Sequence, residues 1–117
     1  MHLDEGLKLV QKTLQLAPDS GAITDSLGWA HYKLGNYEQA VLYLERASAL
    51  APDISEILDH LGDTYCQVGR FKDAGFQWQR ALQFSQDPSE RARLEQKLET
   101  GLVMQSAAIT HIQPAYP

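Results

Sequence analysis

Four side chains that can bind metal ions or transfer protons lie close together in the sequence: Glu56, Asp59, His60 and Asp63. Their spacings of three and four residues place them on one face of an α-helix. Two or three carboxylates with one imidazole can hold a divalent cation weakly. Polar helix faces produce such spacings routinely, so we expect an ordinary solvated face and no metal site.

Catalytic motifs are absent from the sequence. It contains no G-x-S-x-G segment, Walker loop or H-E-x-x-H segment. The single cysteine, Cys66, has no basic neighbour in sequence that would activate its thiol. The histidines are widely scattered, at His2, His31, His60 and His111. We therefore expect a protein that is not an enzyme and that uses no cofactor.

The composition excludes several classes of protein. Of the 117 residues, 44% are apolar and 21% are charged, as in an ordinary globular domain. The net charge is −5 and no cluster of Lys or Arg occurs, which argues against nucleic-acid binding. No apolar run reaches the length of about 18 residues that membrane insertion requires. One cysteine excludes an internal disulfide and fits a reducing compartment, so we expect a cytoplasmic location.

An internal repeat with a period of 34 residues dominates the sequence. Within each unit, apolar residues recur at three- and four-residue spacing, which predicts two amphipathic helices. Gly35 and Gly69 fall just past the first helix of each unit, where a positive φ is favoured. The shift aligns Leu27-Gly28 with Leu61-Gly62, Ala40 with Ala74, and Arg46-Ala47 with Arg80-Ala81.

This pattern resembles the tetratricopeptide repeat, a 34-residue helix–turn–helix unit with Leu-Gly, Tyr, Ala and a closing Pro. The resemblance implies an all-α fold, a right-handed α-solenoid of antiparallel helix pairs. The repeats look like the C-terminal repeats of a longer bacterial member of the family, so we expect the chain to be a piece of a longer protein. The expected segments are a helical domain over 1–102, containing a half repeat (4–18), repeats over 21–54 and 55–88 and a capping helix (88–101), and a flexible tail over 103–117.

Several single positions carry local expectations. Good N-caps stand before the predicted helices at Asp19 or Ser20, and at Asn36, Asp53 and Asp87. His31 occupies a position that a buried aromatic residue usually fills in the family, so we expect a packed core histidine.

In the family, the first helix of each unit lines a concave groove. The carboxylates among the corresponding residues would make the second half of this groove acidic, which favours a peptide or protein partner of basic or mixed charge. Trp29 and Tyr32 offer large contact areas of the kind found at binding hot spots, although Trp29 packing between neighbouring first helices is an equal alternative. The resemblance assigns to the groove Asp25, Ser26, Trp29, Tyr32, Lys33, Glu56, Asp59, His60, Asp63 and Gln67.

The sequence thus predicts a non-catalytic protein–protein interaction module. The alternative is a structural C-terminal cap or self-association segment of a longer repeat scaffold. One form of this alternative is a scaffold that is accessory to an enzyme. The half repeat leaves apolar residues such as Leu9, Leu14 and Leu16 without a neighbour. This predicts either that the chain is a C-terminal piece of a longer repeat protein or that it forms a homodimer through that edge. A third hypothesis places the tail around Ile109 and Tyr116 in its own groove or a neighbour's groove.

Overall fold

The computed structural model describes the backbone of residues 2–112 and the side chains of residues 5–101. Over that backbone the chain is all-α, without strands, which confirms the predicted fold class. Each helix packs on the next, and α2 also contacts α4, so the helix pairs stack into a solenoid. None of the helices in this part of the chain is long and apolar enough to cross a membrane. The helices are α1 (His2–Leu16), α2 (Gly21–Lys33), α3 (Tyr37–Leu50), α4 (Ser55–Gln67), α5 (Phe71–Phe84) and α6 (Pro88–Ile112).

The two helices of each pair approach closely at a glycine. A Cβ atom on Gly28 would lie 2.7 Å from Leu44 Cγ, and one on Gly62 would lie 2.4 Å from Trp78 Nε1. Neither distance is tolerable for real atoms, so a larger residue at either position would overpack the contact. The short turns that close the first helices end at Gly35 and Gly69, whose φ angles of 82° and 81° confirm the predicted positive-φ positions.

Two of the four expected N-caps are confirmed. Ser20 Oγ accepts a hydrogen bond from the Ile23 amide, 3.1 Å away, at the start of α2. Asp87 Oδ2 accepts one from the Glu90 amide at 3.3 Å, at the start of α6. These side chains satisfy amide groups that the first turn of a helix leaves without a partner.

The other two expected caps are wrong in detail. Asn36 does precede α3, but its side chain makes no capping hydrogen bond and lies instead 3.4 Å from His31 Nδ1. Asp53 lies one residue too early, because Ile54 is the residue that precedes α4.

The last helix is longer than expected. α6 continues to Ile112, whereas we expected a capping helix that ends at residue 101 and a loose tail from 103. Residues 102–112 contain neither Pro nor Gly and several good helix formers, so nothing in them stops the helix. The remainder of the expected tail, including Tyr116, lies outside the described residues. The buried Leu94 of α6 joins the same core cluster as Leu61 and Trp78.

The N-terminal edge exposes apolar side chains, as the half repeat predicts. Leu9 and Leu16 of α1 are 67% and 82% exposed. The homodimer through this edge stays a prediction.

His31 is a packed core residue, as predicted. It is 5% exposed, and its ring lies parallel to that of Tyr43 with the centroids 5.4 Å apart. Among the described residues its Nε2 atom has no hydrogen-bond partner. Burial therefore lowers the pKa of His31 below its ordinary value of 6.5.

This lowered pKa makes stability depend on pH. Since the unfolded chain takes up the His31 proton at a higher pH than the folded chain, the free energy of unfolding should fall as the pH drops below 6.5 toward the folded-state pKa. His31→Phe should flatten this dependence in urea titrations run between pH 7.5 and about 5. His111→Gln serves as the control and should leave it intact. An unchanged pH profile in the His31 variant would contradict the assignment.

Candidate functional site

Side chains of α2, α4 and α6 join these three helices into one surface, which we call the groove face. Asp25 and Trp29 of α2 contact His60 of α4. In turn, Lys97 of α6 contacts Asp59 of α4. All of the groove residues expected from the sequence lie on α2 or α4, and these contacts bring most of them together.

An aromatic stack forms the centre of the groove face. The Trp29 ring lies 4.2 Å from the Tyr32 ring and 4.0 Å from the His60 ring, with interplanar angles of 9° and 16°. The Tyr32 and His60 rings would clash with each other if both lay on the same side of the indole, so they cover its opposite faces. Only the edge of Trp29 remains for a ligand. The faces of the Trp29 ring are thus used for packing within the chain, and only its edge is available as a binding hot spot.

Asp25 and His60 form the junction between the first and second repeats. The Asp25 side chain is buried, with a relative exposure of 8%. His60 Nδ1 lies 2.8 Å from Asp25 Oδ1, and because a carboxylate only accepts hydrogen bonds, Nδ1 carries the proton. The contact fixes both the tautomer and the ring orientation of His60.

Lys97 and Arg93 form the junction between the second repeat and α6. Lys97 Nζ donates to Asp59 Oδ1 at 2.8 Å and to Asp63 Oδ2 at 3.1 Å, and Arg93 Nη2 donates to Asp59 Oδ2 at 3.4 Å. Asp59 and Asp63 are thus paired within the chain. This corrects the expectation that they make the second half of the groove acidic.

The pKa values of these groups follow from burial and pairing. Burial and the neighbouring Asp59 carboxylate raise the pKa of Asp63. Burial lowers the pKa of Lys97, but hydrogen bonds to Asp59 and Asp63 outweigh it, and the net shift is upward. Burial, reinforced by Asp63, also raises the pKa of the Cys66 thiol, which disfavours the reactive thiolate.

We did not expect Lys97 and Arg93 at the groove face, because they lie on the helix that was predicted to act as a cap. A signal for them was present. A further shift by the 34-residue period places Arg93 on Asp59 and Lys97 on Asp63, with opposite charges at matching positions of successive helices.

Two depressions flank the aromatic stack. One, of about 390 Å³, lies between α4 and α6 and is lined by Tyr32, Trp78 and Lys97 among others. The second, of about 310 Å³, lies between α2 and α4, beside the edge of Trp29 and the exposed side chains of Ser26, Lys33 and Glu56. Gln67 Nε2 donates to the Tyr32 hydroxyl at 3.3 Å. The surface thus offers shallow, mixed polar and apolar sites, without a catalytic arrangement among its described side chains.

The metal-ligand cluster suggested by the sequence is not the one that the fold assembles. Asp59 and Asp63 turn to Lys97, away from His60. The side chains that approach His60 are Asp25 and Glu56, and one ligand atom from each of the three residues lies within 4.8 Å of the other two.

Comparison with known proteins gives the same fold. Residues 25–54 match the family model of the tetratricopeptide repeat. No curated protein sequence matches this chain significantly. The Sgt2 tetratricopeptide-repeat domain of Aspergillus fumigatus has a TM-score of 0.83 at 18% identity, over 99% of this chain and 76% of that one.

Two further structures are similar. PcrH of Pseudomonas aeruginosa, in complex with the chaperone-binding region of PopD, has a TM-score of 0.80 at 21% identity, over 87% of this chain and 80% of that one. A mutant O-GlcNAc transferase of Thermobaculum terrenum has a TM-score of 0.77 at 25% identity, over 98% of this chain but only 20% of that one.

Loss of the Lys97 ammonium should leave Asp59 buried with only the more distant Arg93. We expect Lys97→Met to lower the free energy of unfolding by about 3 kcal/mol, the cost of breaking a buried ion pair. The exposed Lys12→Met is the control and should change it by less than about 0.5 kcal/mol. Denaturant titration compares the two variants, and equal stability would show that the junction contributes nothing.

Proposed function

We propose that this chain, a tetratricopeptide-repeat protein by its repeat pattern and its fold, binds a segment of a partner protein on its groove face and catalyses no reaction. The observation that carries the proposal is that contacts within the chain hold the groove face together. Its helices are joined by the Asp25–His60 and Lys97–Asp59 contacts, and its aromatic rings are stacked.

A pre-formed face favours binding because only the partner segment must become ordered. The loss of conformational freedom on association opposes binding, and a rigid surface reduces this cost. Here the Trp29 ring is held on both faces, and each of Asp25, Asp59 and Asp63 already has a hydrogen-bond partner. The groove residues need little rearrangement to receive a peptide.

The structural relatives support a peptide partner. PcrH is solved with the chaperone-binding region of PopD, and its fold covers most of this chain. The O-GlcNAc transferase shows that the fold also occurs within enzymes, but this chain spans only 20% of that protein. The catalytic motifs sought in the sequence are absent from this chain. We therefore assign it a binding role.

The charges on the groove face favour a segment of mixed character. Glu56 and Lys33 are exposed in the depression beside Trp29, and the Arg93 side chain is 53% exposed beside the depression near Lys97. A partner that places a basic side chain near Glu56 and an acidic one near Arg93 would match them. The apolar edge of Trp29 between the two depressions would accept an aliphatic or aromatic side chain.

A matched pair of glutamates tests this proposal. Glu56 and Glu38 are both exposed and both stand in the first turn of a helix, α4 and α3 respectively, but only Glu56 lies on the groove face. Peptides selected from a displayed random library on the native chain should bind Glu56→Lys at least about tenfold more weakly, as lost or reversed charge contacts of about 1.4 kcal/mol require. Their affinity for Glu38→Lys should stay within about twofold.

Calorimetry gives the affinities, and circular dichroism checks that both variants are folded. Equal weakening by the two substitutions would argue against the groove face. In that case the alternative role as a cap or self-association segment, which the exposed Leu9 and Leu16 of α1 favour, would take precedence.

A further inference from the structure

The buried carboxylates of the two repeats have different partners. Asp25 and Asp59 stand 34 residues apart at equivalent positions, and each is 6% exposed. Asp59 meets two permanent cations of α6, Lys97 at 2.8 Å and Arg93 at 3.4 Å. Among the described residues, Asp25 forms its one ion-pair contact with an imidazole, which is positively charged only when protonated. A carboxylate this deeply buried normally requires a full positive charge or a metal ion beside it.

From this difference we infer that Asp25, Glu56 and His60 bind a divalent transition-metal ion, with Zn²⁺ as the reference ion. The ion would supply for Asp25 the positive charge that Lys97 and Arg93 supply for Asp59. This inference stands apart from the proposed peptide binding, because it concerns the chain alone.

The donor set fits such an ion. An imidazole nitrogen and two carboxylate oxygens suit zinc and its neighbours in the first transition row. One ligand atom from each residue already lies within 4.8 Å of the other two. Glu56 and His60 are four residues apart on α4, so both project from the same face of the helix toward Asp25 on α2.

The required movements are small. In the ion-free chain His60 Nδ1 donates its proton to Asp25 Oδ1, 2.8 Å away. Binding of the ion to Nδ1 releases this proton to solvent, and the two atoms then need to move apart only slightly to serve as neighbouring ligands of an ion bound at about 2.0–2.2 Å. Only Glu56 must move closer, and its side chain is exposed. Stacking on Trp29 holds the imidazole plane in place.

The surroundings leave room for the remaining ligands. The three residues line the depression of about 310 Å³, which is open enough to admit water molecules to the free coordination positions. Lys33 lines the same depression, and its positive charge opposes the ion. Because Lys33 is exposed, its flexible side chain can turn toward solvent.

Zinc titration of the native chain tests the inference without any peptide. Calorimetry on the native chain should show one Zn²⁺ bound per chain. His60→Gln should weaken binding by at least about tenfold, since even residues that only support a metal ligand contribute that much. Glu56→Gln should weaken it as well, whereas Glu99→Gln, an exposed carboxylate of α6, should leave it unchanged.

The stacked indole provides a second readout. Ni²⁺ bound at His60 should quench the fluorescence of Trp29, and this quenching should disappear in His60→Gln. A variant with both His2→Gln and His111→Gln controls for binding at the chain ends and should keep the quenching. Circular dichroism confirms that each variant is folded.

Three results would overturn the inference: no saturable Zn²⁺ binding at millimolar concentration, native affinity in folded His60→Gln, or equal weakening by Glu56→Gln and Glu99→Gln. Failure of the proposed peptide binding would leave all of these measurements unaffected.

Discussion

Buried carboxylates between successive first helices are the constraint on which the groove face depends. Asp25 of α2 and Asp59 of α4 are buried, and an unpaired charge at either position would cost several kcal/mol. Each carboxylate therefore needs a partner from a neighbouring helix. Asp25 is paired with His60 of α4, and Asp59 is paired with Lys97 and Arg93 of α6. Each pairing ties two helices together and leaves the side chains around it in defined positions. The aromatic stack and the two depressions lie beside these pairings.

The fold was predictable because its determinants are local and periodic. The 34-residue shift located both helix pairs, and it aligned Gly28 with Gly62, the two glycines at which the paired helices touch in the structure. The end of α6 was not predictable from the repeat, because the resemblance stops before that helix and its continuation to Ile112 follows helix propensity alone.

The site was only partly predictable, because its contacts join helices that are distant in sequence. Helical spacing places Tyr32 next to Trp29, but the second ring on Trp29 comes from His60 on the following repeat. In the same way, the carboxylates Asp59 and Asp63 are visible in the sequence, but their pairing with Lys97 and Arg93 of α6 is a contact of the fold. The pairing gives the groove face a mixed electrostatic character, so partner choice depends on the few exposed charges and on the edge of the indole.

Amide chemical shifts can show directly whether a bound peptide lies on the groove face. The isotope-labelled native chain would be titrated with a peptide selected on it, and the shifted amides would be assigned to helices. We expect the largest changes to cluster on α2, α4 and α6, around Trp29, His60 and Lys97. Changes concentrated on α3 and α5, or on α1 alone, would contradict this expectation, because the peptide would then bind away from the face that these junctions build.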